Sequence, residues 1–201
     1  MSRDEQPEHL SRRVQELQQE NEALRMRTRL LSTERQRLEA RMSNLAQLCT
    51  ASTRLSEAVT DSELVATFGE IIKDLIGSEA FAVFELEPDA STLSWLGGMG
   101  MDSERLRRVP LGEGPLALVV QKGRSWVAEA SPADDLAVSA CIPLKLGTQV
   151  LGLIAIFRLL PHKPSFNAAD QLLFELLETQ GGMALHCARC STVRSSLTGG
   201  G

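Results

Sequence analysis

The chain has 201 residues, of which 43% are hydrophobic, 4% aromatic and 23% charged, and its formal charge at pH 7 is −5. This composition is typical of a globular protein and excludes collagen, a disordered chain and a disulfide-rich scaffold. The acidic balance argues against nucleic-acid binding, because phosphate neutralisation requires clustered lysine and arginine. No run of 18 apolar residues predicts a membrane span, and the charged N-terminus does not resemble a signal peptide. We therefore expect no membrane insertion, and a cytoplasmic location in which the four cysteines are reduced.

The first sixty residues have the composition of a single long helix. They contain no glycine and one proline, at position 7. Leucine recurs at every seventh position, which is the d position of a heptad repeat, through six members: Leu10, Leu17, Leu24, Leu31, Leu38 and Leu45. Six unbroken heptad leucines predict a coiled coil over residues 10–50. We expect the residues before it, 1–9, to be disordered.

The a positions of the same heptads indicate how the helices pair. They are occupied by Val14, Asn21, Thr28, Arg35, Met42 and Cys49. A single buried asparagine at an a position favours parallel, two-stranded pairing, so we predict a parallel homodimer. A single helix packed against the rest of the chain is the alternative, although its apolar stripe would be broader than this one. The residues before Leu10 are not basic, which argues against a leucine-zipper DNA-binding protein.

After residue 60 the sequence alternates between helix and strand signals. Thr60 and Glu63 form a capping-box motif, which predicts a helix that ends before Gly77. Asn167 and Asp170 predict the start of a last long helix in the same way. An alternating, β-rich segment predicts a strand at 80–87, and further apolar segments predict strands at 92–96, 125–130, 139–146 and 150–160, the last apolar on both faces and therefore central. Short helices are predicted at 102–108 and 115–122. This order predicts an α+β fold, an antiparallel sheet flanked by helices and preceded by the coiled-coil helix.

Four segments after residue 50 carry a family resemblance. They are the helical pair 51–58 and 63–75, VPLGEG (109–114) with Gly123-Arg124, SACIPL (139–144) with VLGL (150–153), and FNAAD (166–170). This ordered set resembles the GAF domain, a ligand-sensing and dimerising module of signalling proteins. The resemblance implies a GAF-like domain over residues 51–190. We expect the polar tail that follows, residues 191–201, to be flexible.

The resemblance also implies a ligand pocket on the sheet face opposite the terminal helices. Its candidate residues here are Trp95, Trp126, Ser139 and Cys141. The connection that would form its lid, residues 131–136, is short for enclosing a cyclic nucleotide or a tetrapyrrole. Cys141 is the one pocket cysteine, whereas the methionine sulfoxide reductases of this family use several. We therefore predict no cofactor and no catalytic residue, and the tryptophans either stack on a flat ligand or complete the core.

The last helix carries two features that call for an explanation. His186, Cys187 and Cys190 lie within five residues, and two cysteines three residues apart share a helix face that can bind a metal or exchange disulfides. A zinc site needs four ligands, so this is half a site, to which Cys49 of a dimer could contribute; buried packing thiols are the alternative. Gly181 and Gly182 each cost a helix about 1 kcal/mol relative to alanine, and we predict that they allow close helix approach at the dimer interface.

These observations predict a non-enzymatic regulatory protein. It would be a homodimer that binds a partner protein through its coiled coil and GAF domain in a signalling pathway. The alternative is a small-molecule, redox or metal sensor that uses the GAF pocket or the Cys187/Cys190 cluster. The sequence identifies neither the partner protein nor a small-molecule ligand.

Overall fold

The computed structural model describes residues 5–128, 137–161 and 163–198, with side chains described from Leu10 to Ser191 within these ranges. The chain divides into two compact units, Met1–Ala46 and Gln47–Gly201. This division lies a few residues before the boundary predicted at residue 50. No described helix is both long and apolar enough to cross a membrane.

Helix α1 spans Glu5–Glu57 without a break. The predicted long helix is therefore present, but it begins inside the segment expected to be disordered, residues 1–9, of which residues 1–4 lie outside the described residues. Pro7 is compatible with this start, because an amide hydrogen in the first turn of a helix has no partner within the helix. The last turns of α1 belong to the second unit, where Ala51 and Leu55 are fully buried.

Helix α2, Asp61–Glu70, begins at the predicted capping box. The Thr60 hydroxyl accepts a hydrogen bond from the Glu63 amide at 3.2 Å, and the Glu63 carboxylate accepts one from the Thr60 amide at 3.1 Å. The Val59 amide also donates to this carboxylate at 3.0 Å, and the bonds from the Val59 and Thr60 amides lower the pKa of Glu63. The helix continues as a π-helical segment, Ile71–Ile76, and stops at Gly77, as predicted; Gly77 has the left-handed conformation.

The second unit is built on one six-stranded antiparallel sheet. The strands are β1 (Ser78–Leu86), β2 (Thr92–Met99), β3 (Arg108–Pro110), β4 (Trp126–Val127), β5 (Ala140–Leu146) and β6 (Gln149–Leu159). Their order is β3-β2-β1-β6-β5-β4, and every neighbouring pair is antiparallel. The predicted fold class is confirmed. The sequence did not predict β3, and β4 is shorter than the predicted strand 125–130, whose last two residues lie outside the described residues.

Four more helical segments complete the unit. They are α3 (Ser103–Leu106), α4 (Pro115–Lys122), α5 (Ala168–Leu176) and α6 (Gly182–Thr198), with a π-helical segment, Leu177–Gly181, joining the last two. The side chain of Asn167 accepts hydrogen bonds from the Ala169 and Asp170 amides, which confirms the predicted cap of α5. Helix α6 extends through most of the predicted flexible tail, residues 191–201, to Thr198; residues 199–201 lie outside the described residues.

The sheet separates two apolar clusters. Alternate residues of a strand face opposite sides of a sheet, so neighbours in β6 serve different clusters. Ile154 belongs to the first, which lies under the helices; its other large members include Leu55, Phe68, Ile72, Phe174, Leu177 and Leu185. Leu153 belongs to the second, which α4 helps to cover; its other large members include Phe84, Leu93, Val119 and Phe157.

Candidate functional site

The first candidate surface is the apolar stripe of α1. The stripe comprises the heptad a and d side chains Leu10, Val14, Leu17, Leu24, Leu31, Leu38, Met42 and Leu45, which are 49–72% exposed in the single chain. Of residues 10–46, only Asn44 is half-buried and the others are exposed. Asn21, the predicted register residue, lies on the same exposed stripe. One chain therefore leaves this stripe without a covering surface.

The predicted pocket residues lie around the second apolar cluster. Cys141 is fully buried within it, and Trp95 and Trp126 pack against it half-buried. The ring of Trp95 meets Phe84 edge to face, with centroids 6.0 Å apart. The Ser139 hydroxyl donates a hydrogen bond to the Phe157 carbonyl at 2.7 Å, so its polar atom is already satisfied by the backbone. The structure therefore places the tryptophans and Cys141 in one packed cluster.

The chemistry of Cys141 follows from this burial. Removal from solvent raises the pKa of its thiol to about 12. A thiol with such a pKa is protonated at neutral pH, and it is the thiolate that acts as a nucleophile or metal ligand. In this environment Cys141 is a small core residue.

Gly181 and Gly182 are buried against their own domain in the single chain, and their predicted place at a dimer interface stays a prediction. A Cβ on Gly181 would lie 3.0 Å from side-chain atoms of both Leu144 and Phe68. A Cβ on Gly182 would collide with the backbone of Lys145, at 2.5 Å from its carbonyl carbon and closer still to its oxygen and nitrogen. The close approach that these glycines permit is thus between the last helical segment and strand β5.

The remaining thiols are exposed, and Cys187 and Cys190 have different surroundings on α6. Cys190 Sγ lies 3.7 Å from His186 Nε2, one helical turn away. Cys187 instead lines a groove of about 450 Å³ whose other lining residues include Ser52, Leu55 and Met183. Among the described residues, no group of three or more His, Cys, Asp or Glu side chains is placed to hold a metal ion, so neither Cys187 nor Cys49 completes a site within one chain.

Comparison with protein-family models decides the family. The model described as GAF domain matches residues 58–186, which is more than half of the chain. The chain belongs to the GAF domain family. GAF domains are signalling and sensor modules, and the resemblance seen in the sequence is confirmed.

Solved structures show the same fold. A GAF domain from an Acinetobacter phosphoenolpyruvate-protein phosphotransferase is 16% identical, with a TM-score of 0.58 over 73% of this chain and 94% of that one. Residues 122 to 287 of a methyl-accepting chemotaxis protein are 16% identical, with a TM-score of 0.57 over 70% and 97%. The free methionine-R-sulfoxide reductase from Neisseria meningitidis is 17% identical, with a TM-score of 0.57 over 72% and 89%. No curated protein matches the chain.

The FNAAD motif of this GAF domain has a structural role. Asp170 is almost fully buried, accepts a hydrogen bond from the Asn167 amide at 2.7 Å and pairs with Lys163 at 2.6 Å. Lys163 also donates to the carbonyl of Ile76, at the end of the π-helical segment. Phe166 packs edge to face on a phenylalanine of α5. Through Lys163, the motif therefore connects the start of α5 to the end of the π-helical segment that follows α2.

A partly buried polar network of the GAF domain was not predicted from the sequence. Glu178, in the π-helical segment before α6, accepts hydrogen bonds from Lys145 Nζ at 2.7 Å and from the Ser125 hydroxyl and amide at 2.5 and 3.0 Å. Lys145 Nζ also donates to the carbonyl of Gly123 at 2.9 Å. The network joins the end of α4, on one side of the sheet, to the π-helical segment before α6, on the other side. Its members are far apart in sequence, so no local pattern indicates it.

Proposed function

We propose that the protein is a non-enzymatic, dimeric signalling protein in which a parallel coiled coil formed by α1 joins two GAF domains and presents them to a partner protein. The observation that carries the proposal is the exposed apolar stripe of α1. An apolar stripe at heptad spacing is the surface that a second helix of the same kind covers.

The stripe offers a continuous apolar surface for association. Each chain contributes eight apolar side chains to it, six leucines, Val14 and Met42, which are 49–72% exposed in the single chain and which a partner helix would cover. The polar a-position residues Asn21, Thr28 and Arg35 reduce the stability of the dimer while favouring one register.

The charged side chains at the e and g positions beside the stripe favour parallel pairing in one heptad. In another heptad they place two like charges together, and a contact within the chain reduces that repulsion. In a parallel dimer, Glu20 at a g position faces Arg25 at the partner helix's e position, which is an attractive pair. Glu34 faces Glu39 in the same way, which is repulsive. Within the chain, Arg35 Nε lies 3.4 Å from the Glu39 carboxylate, and this contact reduces the repulsion.

The absence of catalysis is part of the proposal. Its support is the state of the pocket face, where the cysteine is buried and protonated and the serine hydroxyl is bound to a backbone carbonyl. Neither side chain is prepared to act as a nucleophile, since nucleophilic catalysis requires an activated, accessible group.

The test of the dimer compares apolar residues on and off the stripe. Leu24→Asp with Leu31→Asp places charges in the seam, whereas Met26→Asp with Leu30→Asp changes equally exposed side chains on other faces of the same helix. Sedimentation equilibrium should give twice 21.9 kDa for the unchanged chain and the Met26/Leu30 variant, and 21.9 kDa for the Leu24/Leu31 variant. Equal masses for the two variants would contradict the proposed interface.

The parallel orientation is tested through Cys49. This residue is exposed and occupies an a position, so the two copies face each other only in a parallel, in-register dimer. In a chain carrying Cys187→Ser and Cys190→Ser, mild oxidation should link the two chains through Cys49, because facing a positions lie within disulfide reach. Adding Cys49→Ser should abolish the linked species. A chain that stays unlinked while sedimenting as a dimer would contradict the parallel arrangement.

A further inference from the structure

We propose that His186 and Cys190 of α6 form one half of a zinc site, and that the same pair in a second copy of the chain supplies the other half. This inference rests on the proposed dimer. It differs from the cluster suggested by the sequence, because the ligand pair is His186 with Cys190 rather than Cys187 with Cys190.

The geometry of the pair matches two ligands of one metal ion. Residues four apart in a helix lie on the same face, and Cys190 Sγ is 3.7 Å from His186 Nε2. Zinc–sulfur bonds of about 2.3 Å and zinc–nitrogen bonds of about 2.1 Å, at a tetrahedral angle, separate the two ligand atoms by about 3.6 Å. The two ligand atoms are therefore already at the spacing of a chelate.

The pair is also available to a metal ion. Both side chains are exposed, and among the described side chains the contact with each other is the one hydrogen bond recorded for either. Arg189, between them in sequence, turns away to Glu85 at 2.8 Å and to the carbonyl of Leu151 at 3.3 Å. Its positive charge is thus engaged on the sheet side of the helix, while Cys187 lines the groove.

The number of ligands requires a second copy. In the described part of one chain, no third His, Cys, Asp or Glu joins the pair. Structural zinc sites are four-coordinate, and two histidines with two cysteines are a common ligand set for them. A symmetric dimer provides this set when both pairs meet at its two-fold axis. The choice of zinc follows from the mixed sulfur and nitrogen donors.

The experiment measures metal stoichiometry on the full chain. Reduced, chelator-treated protein is titrated with Zn²⁺ against a chromophoric chelator, and with Co²⁺ while visible spectra are recorded. We expect one Zn²⁺ per two chains, and a Co²⁺ spectrum with tetrahedral d–d bands and a thiolate charge-transfer band. His186→Ala and Cys190→Ser should each abolish both signals, whereas Cys187→Ser, also an exposed thiol on α6, should retain them. All three residues are exposed, so far-UV circular dichroism should be unchanged.

The outcomes separate this inference from the proposed function. A dimer that binds no Zn²⁺, or one that binds it equally well without Cys190, overturns the zinc site and leaves the coiled-coil dimer intact. One Zn²⁺ per chain overturns the shared site. A monomer by sedimentation overturns the proposed dimer, and the shared site with it.

Discussion

Glycine is required at position 182 because a neighbouring strand lies too close for a side chain. Its backbone conformation does not require glycine. Its φ of −64° is ordinary helical geometry that any residue adopts. The constraint is the backbone of Lys145, which occupies the space that a Cβ would need. A backbone neighbour cannot move aside as the end of a flexible side chain can, so a substitution there displaces the helix or the strand.

Gly182→Ala should therefore destabilise the domain although alanine is the better helix former. Forcing one extra carbon into a packed contact costs about 1–3 kcal/mol, which exceeds the gain of about 1 kcal/mol in helix propensity. The matched control is Gly112→Ala, because a Cβ there meets nothing within 4 Å. Urea unfolding of both variants measures the difference. Equal midpoints for the two variants would show that α6 can move away from β5 without cost.

Helix α1 contributes to two structures along its length. The exposed stripe runs from Leu10 to Leu45, and the last turns of the helix place Ala51 and Leu55 in the core beneath the sheet. Arg54 adds an ion pair with Glu70 of α2 at 3.2 Å. The last turns of the helix are thereby fixed to the domain by packing as well as by charge.

The buried and exposed parts of α1 should respond differently to the same substitution, leucine to alanine. Leu55→Ala removes a fully buried side chain and should lower the free energy of unfolding by about 3 kcal/mol. Leu30→Ala, in the same helix but 66% exposed and off the stripe, should change it by less than about 0.5 kcal/mol. Thermal or urea unfolding monitored by circular dichroism tests both. A small effect of Leu55→Ala would mean that the core closes without α1.

Elements with local signals were predictable, and those defined by distant contacts were not. The capping boxes at Thr60 and Asn167, the alternation of β1 and the continuous apolar sequence of β6 are encoded within a few residues, and the structure confirms these elements. Strand β3 has three residues and exists because β2 lies beside it, so it leaves no periodic pattern.

The candidate functional surfaces divide in the same way. The heptad stripe is a local pattern and was found from the sequence. The two π-helical segments, the contact of Gly182 with Lys145 and the Glu178 network depend on how separate elements pack. The pairing of Cys190 with His186 instead of Cys187 depends on side-chain orientation, which residue spacing alone does not specify.

For the whole molecule, the boundary between the two units makes the apolar stripe of α1 and the GAF domain separable. The first unit is α1 up to Ala46, and the second begins at Gln47 and includes the buried end of the same helix. A cut at this boundary removes the apolar stripe and leaves the core intact. A cut after residue 57 removes core residues as well.

Deleting residues 1–46 should therefore leave a folded GAF domain with weakened dimerisation. Ala51 and Leu55 remain in place, so the shortened chain should unfold cooperatively, and sedimentation should show dissociation at concentrations where the full chain remains dimeric. Deleting residues 1–57 provides the comparison, since it removes these two side chains from the first cluster. That chain should lose several kcal/mol of stability, because removing a buried leucine alone costs about 2–5 kcal/mol. A chain without residues 1–46 that dimerises as tightly as the full protein would place the dimer interface in the GAF domain and not in the coiled coil.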